Sequence, residues 1–170
     1  MRHKICLMLV ITFLCGYTLV IAELKELKSY SLNGSDNIIT KTGVEFDSAV
    51  SSDGNGSYRI NVETPTIIKL FETGDIDIEK AKLIYRADIK TDNVAGSVYL
   101  LMWCVFNDKG EYFSRALHDP LTGTTDWKVQ QTPFFLQDGE NPDNIKLNLV
   151  INGKGTVWID NIKLLKAPIN

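Results

Sequence analysis

Apolar and polar residues alternate along most of the chain after residue 42, with the period of two that a half-buried β-strand requires. The alternating runs are short, and clusters of Gly, Asn, Asp and Pro, which favour turns, separate them. About nine such runs occur, with turn signals roughly every 8 to 15 residues and no convincing helical period. They cover residues 44–50, 57–62, 66–71, 82–90, 97–106, 111–117, 127–135, 145–151 and 156–165. The pattern predicts an all-β fold, either a sandwich or a barrel.

Residues 1–22 have the pattern of a signal peptide, because a basic start at 2–4 precedes an almost unbroken apolar run over 5–21. We therefore expect removal of this segment and a secreted or periplasmic protein with no membrane span after processing. One alternative is a retained anchor, although the run of about 17–20 residues is marginal for a span and no basic flank follows it. Another is a lipoprotein attached at Cys15, although Leu14 is not the small residue that a lipobox requires.

The rest of the chain divides into three parts, with one β domain between two short flanking segments. Residues 23–42 are polar and are predicted to be an N-terminal linker or edge segment. The β domain covers 43–166, and 167–170 form a C-terminal tail. The length of the chain suits one domain that needs no disulfide to complete its core.

The net charge of the chain narrows the class of partner. Without the leader, the chain keeps 16 of its 18 basic residues against 21 acidic ones, a net charge of −5. This acidity argues against nucleic acid or an anionic membrane surface as the partner.

Cys104 is the one cysteine outside the leader, so no intramolecular disulfide is expected. It lies in the apolar run 97–106, where we expect it to be buried as a small hydrophobic residue.

Catalytic signatures are lacking in the sequence. The nucleophile motif G-x-S-x-G does not occur, and His118 is the one histidine outside the leader. A zinc site is not expected from a single histidine without a cysteine partner. The carboxylates lie mostly in turns, and a catalytic pair across a cleft is the alternative that the sequence leaves open. We therefore expect a protein that is not an enzyme.

Four stretches of the chain resemble the galactose-binding-like jelly rolls, which include carbohydrate-binding modules of secreted glycoside hydrolases. They are VEFDSAVSSDGNGSYRI, LIYRADIKTDN, PLTGTTDWKVQQTPFFL and NIKLNLVINGKGTVWIDNIKL, and together they reach from about residue 43 to 166. The resemblance implies a two-sheet antiparallel β-sandwich and a non-catalytic module that binds an oligosaccharide or polysaccharide. Because one fold serves many functions, the alternative is a structural or protein-interaction module of an envelope or secreted assembly, without a sugar site.

The resemblance also implies a structural Ca²⁺ between the first strand region and the last strand. Asp160, in the last strand, would supply one carboxylate, and hard oxygen ligands suit this ion. The other candidates opposite it are Glu45 and Asp47 in the first strand and Asp53 in the turn that follows. The alternative is that Asp160 accepts hydrogen bonds from the amides of a neighbouring loop, or faces water at a sheet edge.

Strand alternation separates core residues from candidate ligand residues. In 97–106, one face carries Val98, Leu100, Met102, Cys104 and Phe106, which predicts a core face. Leu83, Tyr85, Ala87 and Ile89 in 82–90, and Ile145, Leu147, Leu149 and Ile151 in 145–151, are predicted to point inward in the same way. If these strands share a sheet, as the resemblance implies, their other faces form one binding surface. Its members would be Arg86, Asp88, Tyr99, Trp103, Asn107, Arg115 and Asn148.

That mixture of side chains suits sugar recognition. Aromatic rings stack on the C–H face of a pyranose, while amide, carboxylate and guanidinium groups hydrogen-bond its hydroxyls. The alternative is that Trp103 fills space beneath the N-terminal segment and belongs to the core. Trp127 and Trp158, in the motifs that carry the resemblance, are interpreted as packing residues.

Overall fold

The computed structural model describes residues 24–32 and 38–169, so the predicted leader at 1–22 lies outside the described residues. The described residues contain eight strands and no helix, as the alternation predicted, and hence no helix that could span a membrane. Every strand pairing is antiparallel. The strands are β1 (Lys25–Ser29), β2 (Val44–Asp47), β3 (Ser57–Val62), β4 (Thr66–Thr73), β5 (Ala81–Phe106), β6 (Gly110–Arg115), β7 (Leu121–Leu136) and β8 (Asn144–Ala167).

The strand count differs from the prediction for two physical reasons. β5 and β8 each continue through a predicted break between two runs, at 91–96 and at 152–155, so each replaces two predicted strands. β1 was assigned to the linker or edge segment, because its sequence KELKS is polar. It pairs with β8 at the edge of the sheet and is largely exposed, so alternation of apolar residues was not required.

β5 and β8 form one long antiparallel ribbon, from Lys82 opposite Ala167 to Val105 opposite Asn144. The ribbon bends where its register shifts between residues 92 and 95. Gly96 and Gly153 face each other at the bend, and a Cβ on Gly153 would overlap the carbonyl oxygen of Ala95. Only glycine permits this close approach of the two backbones, so these glycines allow the bend.

The bend divides the strands into two layers. Sheet A contains β1, β2, β3 and β7, with residues 81–94 of β5 and 155–167 of β8. Sheet B contains β4 and β6, with residues 97–106 of β5 and 144–152 of β8. All eight strands remain in one hydrogen-bonded network because β5 and β8 belong to both layers. The molecule is therefore a two-sheet antiparallel β-sandwich, as the resemblance implied.

The two layers enclose one hydrophobic core. The predicted inward residues are all buried, including Leu83 to Ile89 at odd positions and Val98 to Phe106 at even positions. The change from odd to even reflects the bulge at 92–95, which shifts the phase of alternation. Cys104 is buried as predicted, and burial raises the pKa of its thiol to about 12.

Edge contacts join sheet A to sheet B on both sides of the sandwich. On one side, Lys28 Nζ donates to Thr73 Oγ1 at 2.7 Å, and the rings of Tyr30 and Phe71 stack at 4.3 Å. On the other side, the hydroxyls of Ser114 in β6 and Thr132 in β7 are 2.6 Å apart. Because these contacts lie at the two sides of the sandwich, the outer faces of the two sheets are the broad surfaces on which a ligand could bind.

Candidate functional site

The outer face of sheet B, called face B below, carries a row of side chains centred on Trp103. The register places Trp103 between Phe113 of β6 and Lys146 of β8, with Glu72 of β4 beyond Lys146. The rings of Trp103 and Phe113 are 5.0 Å apart and tilted by 59°. Trp103 is half-buried and does not belong to the core cluster. It therefore holds a fixed position while part of its ring stays accessible.

The next row of face B is polar at both ends. It runs from Lys69 in β4 through Asn148 and Leu101 to Arg115 in β6. Asn148 is buried within the face, and its Nδ2 donates to the Leu101 carbonyl at 3.4 Å. The Arg115 guanidinium lies 4.7 Å from the centre of the Phe113 ring, which holds it against the face.

A cleft of about 270 Å³ opens between these two rows. That volume is close to the lower end of small-molecule sites, which begin at about 300 Å³. Apolar side chains form part of its surface, and carboxylate, amide and ammonium groups surround them. The lining residues are Ile67, Lys69, Glu72, Leu101, Trp103, Glu111, Lys146 and Asn148. This mixture can stack on one face of a ligand and hydrogen-bond its polar edge.

Of the N-terminal segment, none of the described residues at 24–32 and 38–42 lines this cleft. β1 pairs with β8 in sheet A, and the backbone amides of Ile39 and Thr40 donate to β4 carbonyls at the sheet edge. Tyr99 shares the face with Trp103, but it lies beyond the cleft and packs against the core. Asn107 is exposed in the turn after β5, where its backbone N–H donates to Asp143 Oδ2 at 2.7 Å.

Arg86 and Asp88 do not join the other predicted ligand residues. Both lie on the outer face of sheet A, where Arg86 is opposite Lys163 and Asp88 is opposite Asp160. The resemblance implied that 82–90 and 97–106 share a sheet. They belong to the same strand, but the bend places them in different layers of the sandwich.

Several cleft residues were missed by the sequence interpretation. They are Ile67, Lys69 and Glu72 of β4, Glu111 of β6 and Lys146 of β8. Alternation in 66–71 and 111–117 gave a usable signal. It places Lys69 on the same face of its strand as Ile67, and Glu111 on the same face of its strand as Arg115. Alternation does not show that these two strands pair with the strands that carry Trp103 and Asn148.

Asp160 is 2% exposed, and its carboxylate is occupied by donors from the loop between β2 and β3. Its Oδ2 accepts from the backbone N–H of Ser52 at 2.8 Å and lies 3.0 Å from the hydroxyls of Ser51 and Ser52. Its Oδ1 accepts from the Asn161 N–H at 2.7 Å. The structure thus places Asp160 as an acceptor for a neighbouring loop, one of the two alternatives for this residue.

The four predicted metal ligands do not come together as one set. Asp53 approaches Asp160 through Ser51, whose Oγ lies 3.0 Å from a carboxylate oxygen of each. Glu45 instead pairs with Arg59 at 3.6 Å. Within residues 24–32 and 38–169, no group of three or more His, Cys, Asp or Glu could hold a metal ion. The carboxylates present therefore fit a calcium site only in part.

Asp47 has a different role, because it fixes Trp158. The Trp158 Nε1–H donates to Asp47 Oδ2 at 3.0 Å, and the amides of Ala49 and Val50 donate to Oδ1 at 3.0 and 3.1 Å. The indole hydrogen bond, with support from these amides, lowers the pKa of the Asp47 carboxyl. Trp158 is thereby held by polar contacts on sheet A, away from face B.

Comparison with known proteins identifies the fold. No protein-family model and no curated protein matches the chain. A family 16 carbohydrate-binding module is 16% identical, with a TM-score of 0.55 over 78% of this chain and 93% of that one. The CBM22-1 xylan-binding domain of Paenibacillus barcinonensis Xyn10C is 11% identical, with a TM-score of 0.57 over 88% of this chain and 97% of that one. Another CBM22 xylan-binding domain is 12% identical, with a TM-score of 0.57 over 85% and 95%. The chain has the jelly-roll fold of carbohydrate-binding modules.

Proposed function

We propose that this protein is an exported, non-catalytic carbohydrate-binding module whose ligand lies across face B, over Trp103. The observation that carries the proposal is the half-buried indole in a cleft with amide, carboxylate and ammonium groups around it. The shared fold with xylan-binding modules supports a polysaccharide, and xylan is the first candidate to test.

The apolar and the polar groups of the cleft would contribute to sugar binding in different ways. Stacking of a sugar on Trp103 removes apolar area from water, and the fixed ring loses little conformational entropy on binding. Asn148, Glu72 and Lys146 supply donors and acceptors at the sides of the ring. Face B is built from strands of the scaffold, so the polar groups need little rearrangement when a ligand binds.

The test is calorimetric titration of the purified protein with soluble xylan, followed by a glycan array for other polysaccharides. Trp103→Ala should weaken binding by about 1–3 kcal/mol, the range for burying an aromatic anchor. Its melting temperature should change little, because Trp103 lies outside the core cluster. Trp127→Ala, on a strand of sheet A, is the matched control and should bind like the wild type.

Three results would contradict the proposal. If no glycan binds, the structural or protein-interaction module becomes the better interpretation. If Trp103→Ala unfolds the protein, this tryptophan is a core residue and face B has been assigned incorrectly. Release of reducing sugar from the bound polysaccharide would show that the module is an enzyme.

Export and calcium are the two remaining parts of the proposal. Intact-mass measurement of protein from the medium or periplasm should show loss of residues 1–22. A mass that retains them, or an acyl group on Cys15, would contradict this cleavage. Calcium, if it binds beside Asp53 and Asp160, should raise the melting temperature of the wild type but not of Asp53→Ala. No shift with either calcium or chelator would remove calcium from the proposal.

A further inference from the structure

We infer that the ligand of face B is a polysaccharide that carries carboxylate groups, as uronic acid residues do. This inference rests on the proposed function, because it names the class of glycan that the same cleft would select. Its basis is the distribution of charge across the two rows of side chains described above.

The carboxylates of the cleft already have partners on neighbouring strands. Glu111 Oε1 lies 2.8 Å from Lys146 Nζ, and Glu72 Oε2 accepts from Asn144 Nδ2 at 3.1 Å. Each glutamate is therefore oriented by the protein itself. Lys146 neutralises Glu111, whereas the neutral amide of Asn144 leaves the charge of Glu72 in place, so the cations of the face must outweigh that charge.

The two outermost cations of the polar row differ from Lys146 in this respect. Among the described residues, Lys69 and Arg115 have no carboxylate within ion-pair distance. They are three strands apart, which corresponds to about 14 Å at the usual strand spacing. Asn148 and Leu101 lie between them, so the row presents a cation at each end and neutral groups at its centre.

Arg115 is suited to a carboxylate by its geometry. Its guanidinium packs over the Phe113 ring, which limits its rotation, and a guanidinium can donate two parallel hydrogen bonds to one carboxylate. Lys69 supplies a point charge at the opposite side of the cleft. A polymer that crosses the row would place a carboxylate near one or both cations while a neighbouring sugar stacks on Trp103.

The chain as a whole is acidic, with a formal net charge of −3. Attraction of an anionic polymer must therefore come from a local group of cations. Face B provides Lys69, Arg115 and Lys146 against Glu72 and Glu111, a local excess of one positive charge. The attraction that this excess of charge exerts on an anionic polymer is short-range and should be screened by salt.

The experiment compares a glucuronic-acid-substituted xylan with the same polymer after chemical reduction of its carboxyl groups to alcohols. The full chain should bind the unreduced polymer about threefold to tenfold more tightly at low ionic strength, the range for one or two exposed charge contacts. Salt at about 0.5 M should remove most of this preference.

Variants assign the preference to specific residues. Lys69→Gln and Arg115→Gln should each reduce the preference, and the double variant should bind both polymers equally. Arg86→Gln is the matched control, because Arg86 is a cation on the outer face of sheet A. It should leave the preference unchanged.

Failure of the inference can be distinguished from failure of the proposed function. Equal binding of both polymers, with loss of binding in Trp103→Ala, would overturn the carboxylate preference and keep the carbohydrate-binding function. Tighter binding of a sulfated polymer than of the carboxylated one would also overturn it. Binding of neither polymer nor any other glycan would overturn both.

Discussion

Asp160 shows how a single buried carboxylate organises a loop. It lies in the last strand, where its Oδ2 accepts from the backbone N–H of Ser52 and lies 3.0 Å from the hydroxyls of Ser51 and Ser52. A carboxylate in a strand is unfavourable unless its charge is compensated by hydrogen bonds or a cation. These donors supply the compensation from within the chain.

Replacement of Asp160 by Ala should therefore destabilise the protein by about 1–3 kcal/mol, because the amide of Ser52 would lose its acceptor beneath the loop. Asp160→Asn keeps one carbonyl oxygen and should cost less. Urea unfolding of the two variants measures the difference. Unchanged stability in Asp160→Ala would show that the loop is not held by this carboxylate.

Cys104 gives a prediction about reactivity. Its thiol is buried, and burial raises its pKa to about 12, so almost none is ionised at pH 8. Because the thiolate is the reactive form, Cys104 should resist alkylation in the native protein. The measurement is iodoacetamide labelling of a Cys6→Ser, Cys15→Ser variant, with the same protein in guanidinium as the reactive control. Rapid labelling of the native protein would mean that the strand opens readily.

The Asp47–Trp158 hydrogen bond predicts a pH dependence. The folded-state pKa of Asp47 is lowered, chiefly by the indole N–H, so its stabilising effect is present above the ordinary carboxyl pKa. This effect is lost as the pH falls through the lowered value. Trp158→Phe removes the donor and should bring the pKa of Asp47 back toward its ordinary value.

The difference in unfolding free energy between the wild type and Trp158→Phe should therefore shrink as the pH falls below about 4. Loss of packing in the variant adds a constant difference, which does not depend on pH. Urea unfolding at several pH values separates the two effects. A difference that stays constant across this range would show that the hydrogen bond does not couple to protonation.

At the scale of elements, the β5–β8 ribbon decides the architecture. Its bend requires the backbones of Gly96 and Gly153 to approach more closely than any side chain allows. Gly153→Ala should destabilise the protein by about 2–4 kcal/mol, because its Cβ would overlap the Ala95 carbonyl.

Gly123→Ala is the control for that variant. Gly123 has a φ of 68°, but a Cβ there would meet nothing within 4 Å. It should cost about 1 kcal/mol, the strain of a left-handed conformation alone. Similar melting temperatures for the two variants would show that the close approach at the bend is not important for stability.

At the scale of the whole molecule, the two layers are coupled because they share strands. β5 and β8 each cross from one sheet to the other, so neither sheet can unfold while the other keeps all its hydrogen bonds. We expect one cooperative transition, with tryptophan fluorescence and far-UV circular dichroism giving the same midpoint. Two separate midpoints would indicate that the layers unfold independently.

Alternation was sufficient to predict which stretches with an apolar face are extended and which of their residues point inward. Val98 to Phe106 and Leu83 to Ile89 are buried as their pattern indicated, because a strand in a sandwich must place its apolar side chains on one side. The edge strand β1 was predicted only as part of a linker or edge segment at 23–42, since an exposed edge needs no apolar face. The joining of predicted strands into β5 and β8 escaped prediction, because a bulge and a turn have similar sequences.

The sequence by itself determined the all-β class, the core residues and the outward position of Trp103, because these depend on local periodicity and on the burial of apolar area. Only the tertiary structure decided which outward residues meet. It separated Arg86 and Asp88 from Trp103 and brought Lys69, Glu72, Glu111 and Lys146 to the cleft. The physical reason is that the composition of a face depends on strand pairing and on the bend of a continuous strand. Both arise from backbone contacts between residues far apart in sequence, and no local pattern records them.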